Sequence, residues 1–325
     1  MIAKEQYLAD PCKVASIPYW KIKSFPIPDG MIILHHNKYN RAECPKYIDD
    51  PYFRLIHDLQ DLAVPELPQG YSLCTATLSD YAVHIIWKRG NVMIVECVWE
   101  HNGNDTLLYA VNLPGAYARG TSNEIAMEKM AAEACSYLQW KGECVPEDIT
   151  IEIVQDASCD LQICDADSDV LFAAEQEPLT MAEYLEFKAL ALKSAEDFWK
   201  LYESIPDKDK SDAPIRRAFY GQVPRTATEM YTHTKNVNEY YFAEIDVDAD
   251  NEGTILDCRR RGFEALEVKP DFLENPVIEG SYGESWTLRK VLRRFIWHDR
   301  IHAKAMYRMA VRQFGENAVA NVFRF

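Results

Sequence analysis

The chain of 325 residues has no apolar run long enough to span a bilayer. Its first residues, MIAKEQYLADPCK, lack the basic-then-apolar order of a secretory signal. No cysteine pair has CxxC spacing, which excludes a zinc knuckle. The nine cysteines, an odd number, read as reduced, mostly buried thiols rather than a disulfide framework. Together these absences predict a soluble cytoplasmic protein. Positive charge is also short. A net charge of −16 repels phosphate backbones, so nucleic acid is not expected as a partner. What remains is an ordinary globular composition spread over a length that predicts two or three domains.

Prolines crowd the first part of the chain, at Pro11, Pro18, Pro26, Pro28, Pro45, Pro51, Pro65 and Pro68. An irregular N-terminal segment, 1–90, is expected, with a short helix starting at Asp49 and Pro51 in its first turn. The stretches LADPCKVASIPYWK and YFRLIHDL resemble the lead-in to the acetyltransferase domain of some bacterial N-acetyltransferases. The glycine-rich loop of that domain does not follow, so the activity is not carried over.

From Tyr71 the pattern turns to β. Two β-rich runs starting at Val92 and Thr106 flank His-Asn-Gly-Asn, a hairpin signal. A helix is predicted over 123–141, capped by Thr121 or Ser122, with Ile125, Met130, Ala134, Tyr137 and Leu138 facing inward. A strand from Ile149 closes the unit. At LYAVNLPGAYARGTSNEIAMEKMAAEACSYLQW this part resembles the HicB-like antitoxin fold. The resemblance implies a small β-β-β-α-β module, placed at 91–178, and a non-catalytic binding or sensing role as one functional alternative. An exposed strand there would favour a homodimer. Asp165-Ala-Asp-Ser-Asp lacks the Gly and distant Glu of a calcium loop and reads as an acidic turn.

From Leu179 the pattern is helical. Thr180 and Glu183 form a capping-box signature ahead of an apolar stripe: Met181, Leu185, Leu192, Ala195, Trp199 and Tyr202. A second helix is expected over 226–245, with Met230, His233, Val237, Tyr240 and Tyr241 inside, and a shorter third near 255–268. The fourth runs over 286–314, with Leu288, Val291, Phe295, His298, His302, Ala305 and Met309 inside. Helices of this number and pattern predict a four-helix bundle. The last helix carries eight Lys or Arg residues and one acid, Asp299. It reads as a solvated face, with an anionic ligand or an acidic face of the same protein as alternatives.

His298 and His302 lie one turn apart on the apolar face of the fourth helix. His233 lies on the apolar face of the second. Buried imidazoles with no ligand lose solvation without return. Three of them can hold a divalent transition metal and leave positions open for chemistry. At these residues the chain resembles the DinB-like superfamily, four-helix bundles that include thiol-dependent transferases. The resemblance covers 179–325 and implies a metal held by His233, His298 and His302. Arg294 stands where some members carry another histidine, and Met306 occupies the turn after the pair, where thiol transferases commonly have a polar residue. HDRIH also invites comparison with the zinc-peptidase helix HExxH, but Asp299 is shorter than the glutamate base and no third ligand follows.

Glu229, Asp299 and Glu244 are candidates to orient the histidines. Tyr240, Tyr241 and Trp297 either wall the pocket or serve as core aromatics. The expected cofactor is zinc, nickel or iron, all of which accept imidazole. The expected protein is α+β and multidomain: a metal-dependent hydrolase or a thiol or group transferase acting on a small molecule or thiol.

Overall fold

A computed structural model describes residues 20–21, 31–37, 71–78, 82–89, 92–146, 148–165, 167–218 and 221–325. The helix expected at Asp49 and most of the proline-rich lead-in lie outside the described residues. Contacts divide the chain into two compact units, Met1–Met93 with Pro146–Asp148, and Ile94–Val145 with Ile149–Phe325. The boundary expected at 178/179 lies inside the second unit.

In the first unit, strands β1 (Trp20–Lys21), β2 (Met31–Asn37), β3 (Tyr71–Leu78) and β4 (Ala82–Arg89) form an antiparallel sheet of order β1-β2-β4-β3. The register pairs Ile33 with Ile86 and slips at a bulge between Leu73 and Thr75. A segment expected to be irregular therefore holds a sheet. Its β2–β4 pairing joins residues far apart in sequence, which no local pattern of prolines reveals.

The second unit mixes α and β. Strands β5 (Val92–Asn102), β6 (Asp105–Ala110), β7 (Tyr117–Gly120) and β8 (Asp148–Ser158) form a sheet of order β7-β6-β5-β8. Asn102 pairs with Asp105, so the expected hairpin has a two-residue loop, and Gly103 meets its need for positive φ at 59°. Strand β6 is buried at every position after Asp105, without alternation. That is the mark of a strand covered on both faces.

Helix α1 (Asn123–Lys141) packs on β6 and β7. Ser122, not Thr121, caps it by accepting the Ile125 N–H. Met130, Ala134, Tyr137 and Leu138 face inward as expected, whereas Ile125 is exposed and Ala126 takes its place.

Helices α2 (Met181–Ser204), α3 (Ala227–Ala243), α4 (Ile255–Glu267) and α5 (Leu288–Phe314) start at side-chain caps. Thr180, Thr226 and Thr254 each form a reciprocal box with the acid three residues on, and Thr287 caps α5. Helix α5 packs on α2 and α3, and α4 packs on the same two. Among the described residues no helix is long and apolar enough to cross a membrane.

Two inward faces differ from expectation. On α2, Ala195 is buried as expected, but Met181, Leu185 and Trp199 are exposed, and the buried line is Tyr184, Ala191, Ser194, Phe198 and Leu201. The helix carries two apolar stripes about one residue apart in phase. The one rich in small side chains lies inward, where Ala and Ser let neighbouring backbones approach closely.

On α5, Ala305 is exposed, and every residue from Lys290 to Arg300 is buried. Its basic residues do not form a solvated face. Arg289 pairs with Glu183, Lys290 and Arg294 with Glu284, Arg293 with Glu175, Arg300 and Lys304 with Glu133, and Arg312 with Asp212. Of the eight, only Arg308 and Arg312 are exposed. The protein's own acids meet this helix because it runs through the centre of the unit.

The close approach of α4 to α3 yields a stability test. A Cβ on Gly262 would stand 2.0 Å from Cε2 of the buried Phe242 ring. Phe242 is itself hemmed by Phe263 and Phe295, with centroids at 5.5 and 5.1 Å. Gly262→Ala is expected to cost about 1–3 kcal/mol by overpacking, read as a lower urea midpoint. An unchanged midpoint would show that the ring yields freely.

Candidate metal centre

Helix α3 carries His233 between the buried residues Met230 and Thr234. Helix α5 carries His298 and His302 on the side turned to α3. The packing of these two helices brings the three imidazoles together. Ring centroids are 5.1 Å apart for His233–His298, 4.7 Å for His233–His302 and 4.5 Å for His298–His302. Each ring offers one nitrogen within 4.8 Å of the others, an arrangement that could hold a metal ion.

Two nitrogens on a tetrahedral zinc stand about 3.4 Å apart. Ligand nitrogens within 4.8 Å of one another would each close by up to roughly an ångström to hold an ion. His298 is 7% exposed, while His233 and His302 are half-buried. His298 is shut off from solvent, and the other two are partly exposed.

The electrostatics favour neutral rings. Burial pushes the pKa of His233 down. His298 lies well below its ordinary value, first through burial and then through His302, His233, Arg294 and Arg259. His302 is pushed down to about 3 by burial and by His233. Neutral imidazole is the form that ligates a metal. Nδ1 of His298 is buried without a hydrogen-bond partner among the described residues, a cost that coordination through that nitrogen would remove. Residue types, spacing and this orphaned nitrogen all fit a divalent transition metal.

A pH dependence follows from these shifts. A histidine whose pKa is depressed on folding binds fewer protons in the native state than in the unfolded one. The metal-free protein should therefore lose stability as pH falls below about 6.5, the ordinary value, toward the depressed one. Above that value these groups add no slope. Urea midpoints of the metal-free protein between pH 7.5 and 5 will show the decline, and a larger midpoint at pH 5 would contradict it.

The three candidate orienting acids are engaged elsewhere. Glu229 is exposed and closes the α3 capping box, accepting the N–H groups of Arg225 and Thr226. Glu244 is buried and accepts the Ser281 N–H. Asp299 is fully buried, and both its oxygens are held by the guanidinium of Arg259, at 3.1 and 3.2 Å. One residue past His298, the α5 backbone turns Asp299 by about 100° away from the histidine face. It occupies the place of the HExxH base in sequence, but its carboxylate is committed to α4.

The aromatic residues divide. The rings of Tyr241 and Trp297 lie 6.0 and 6.2 Å from His298. Trp297 also belongs to a core cluster with Val98, Leu107, Tyr109 and Phe172. Tyr240 packs on Tyr241 and Trp286 instead.

Arg259 was not singled out in the sequence. Its signal was a cation placed four residues after Ile255 and four before Phe263, within the apolar stripe of α4.

No family model matches the chain, and no curated protein or solved structure matches it.

Proposed function

We propose that His233, His298 and His302 hold one divalent transition metal and that the protein is a metal-dependent enzyme, either a hydrolase or a thiol or group transferase acting on a small molecule. The observation that carries this reading is the convergence of the three rings from two helices. Helices α2 to α5 are read as a DinB-like four-helix bundle, and the packed sheet and α1 as a HicB-like module joined to it. When bound, the metal supplies Lewis acidity and lowers the pKa of a coordinated group. The chain supplies the rest. His233 and His302 border the open approach, and Tyr241 and Trp297 exclude water behind His298. Zinc, nickel and iron all suit three imidazoles.

The alternative is a non-catalytic binding or sensing module that dimerises through its β part. It rests on β8, an edge strand of the sheet in which no described position is fully buried.

Elemental analysis of purified protein should find about one transition metal per chain, lost in His302→Ala. Metal-free wild type after growth in supplemented medium would discard the metal reading. Metal with no turnover in hydrolase and thiol-transferase assays would favour the alternative.

A further inference from the structure

A cavity of about 300 Å³ lies where the loop after β6, the end of α1 and the turn at 173–176 meet α2 and the start of α5. Among the described residues no histidine lines it, so it is not part of the metal centre. Val111, Pro114, Phe172, Phe187 and Leu190 supply an apolar wall. That size and lining suit a small ligand.

The charges around the cavity are matched. Three cations, Lys141, Arg289 and Arg293, and three carboxylates, Glu175, Glu183 and Glu186, also line it. They pair off: Lys141 with Glu186, Arg289 with Glu183 and Arg293 with Glu175. Lys141 also meets Glu143. An ionic ligand would have to draw a partner out of such a pair, and a pair opened from one side leaves a charge uncompensated. Hydrogen-bond donors, in contrast, are in surplus. Arg289 donates from Nε and Nη2 to the Glu177 and Pro178 carbonyls and to Glu183. Arg293 uses the same two nitrogens on Glu175 and the Val170 carbonyl. Nη1 of each arginine has no hydrogen-bond partner among the described residues. Nη1 of Arg293 is enclosed by protein. The Arg289 side chain keeps 13% of its surface exposed, so Arg289 is the one a ligand can meet.

We propose that this cavity binds a small, neutral, largely apolar molecule whose carbonyl oxygen accepts a hydrogen bond from Nη1 of Arg289. The apolar body is driven onto Phe172, Phe187 and Leu190 by the loss of water from both surfaces. The carbonyl supplies the acceptor that the spare guanidinium N–H lacks and brings no charge. An anion would also accept, but it adds a fourth negative charge to a lining that is already balanced. A cation offers the arginine nothing. The proposal is independent of the metal reading.

The test titrates the full chain with benzamide, benzoate and benzylamine, three probes that share a ring and differ in charge, and reads binding by saturation-transfer NMR. Benzamide is expected to bind saturably and at least about tenfold more tightly than either ion. Leu190→Trp puts a larger ring into the cavity and should abolish the binding. Arg289→Lys keeps the charge opposite Glu183 but lacks Nη1, and benzamide affinity should fall about tenfold. The lysine variant alone decides the matter should the tryptophan variant fail to fold. Benzoate or benzylamine binding as tightly as benzamide would overturn the neutral ligand class. No saturable binding of benzamide by wild type, or an unchanged affinity in both variants, would overturn the site itself.

Discussion

Asp299→Ala is expected to destabilise the protein by about 3–5 kcal/mol, the usual cost of breaking a buried ion pair from one side. Asp299 and Arg259 are both fully buried. Burial alone raises the carboxyl pKa of Asp299, and the Arg259 guanidinium beside it works in the opposite direction. Once the carboxylate is removed, Arg259 keeps its charge in the interior with the Phe295 ring at 3.9 Å and the Ala191 carbonyl at 3.4 Å. Neither replaces a bidentate anion. A paired replacement, Asp299→Leu with Arg259→Met, should recover most of the loss, because apolar groups of similar volume often match a buried pair. Urea denaturation of the two proteins decides this. A single variant within about 1 kcal/mol of wild type would show that the pair is not what joins α4 to α5. The experiment also bears on the site, because Asp299 adjoins His298. A stability loss without a proportionate loss of metal affinity is the result expected of a residue that holds helices together rather than one that acts on the metal.

Metal should stabilise the wild type strongly and the His298→Ala variant hardly at all. Free metal at about a hundred times its dissociation constant adds about 2.7 kcal/mol to the native state. For a chain of this size that is a rise of roughly 4 °C in the melting temperature. His298 is the most buried of the three rings, and its Nδ1 has no hydrogen-bond partner among the described residues. Without it, two imidazoles remain on different helices, and the metal-induced rise should shrink to a degree or two. Scanning calorimetry with and without zinc and nickel reads this directly. An equal rise in the variant would place the metal elsewhere. The metal-free variant is informative as well. Losing an imidazole that is buried and lacks a partner at Nδ1 should cost less than deleting an apolar core side chain of similar size.

Much of the helical framework was legible. Thr180 and the acid three residues beyond it announced the start of α2, and the helix begins there. A cap is a local interaction, so a local pattern suffices to find it. The convergence of His233 with the HxxxH pair was legible for a related reason. Helical spacing aimed each side chain inward, and packing α3 on α5 did the rest. The inward face of α2 was not legible, because Met181, Leu185 and Trp199 matched helical spacing as well as the line that is buried. Only the contour of the neighbouring helices chooses between two such stripes.

The residues alone determined where helices begin, which histidines share a face, and that these imidazoles suit a transition metal. These are matters of side-chain chemistry and of periodicity over a few turns. Tertiary structure decided the partners of the charges. It showed that the basic helix is central rather than solvated and that Asp299 serves Arg259. The acids that meet α5 come from Glu133, Glu175 and Glu284, on separate segments of the chain. Charge pairing acts through space, between residues that meet only once the chain has packed, and periodicity along one helix does not encode it.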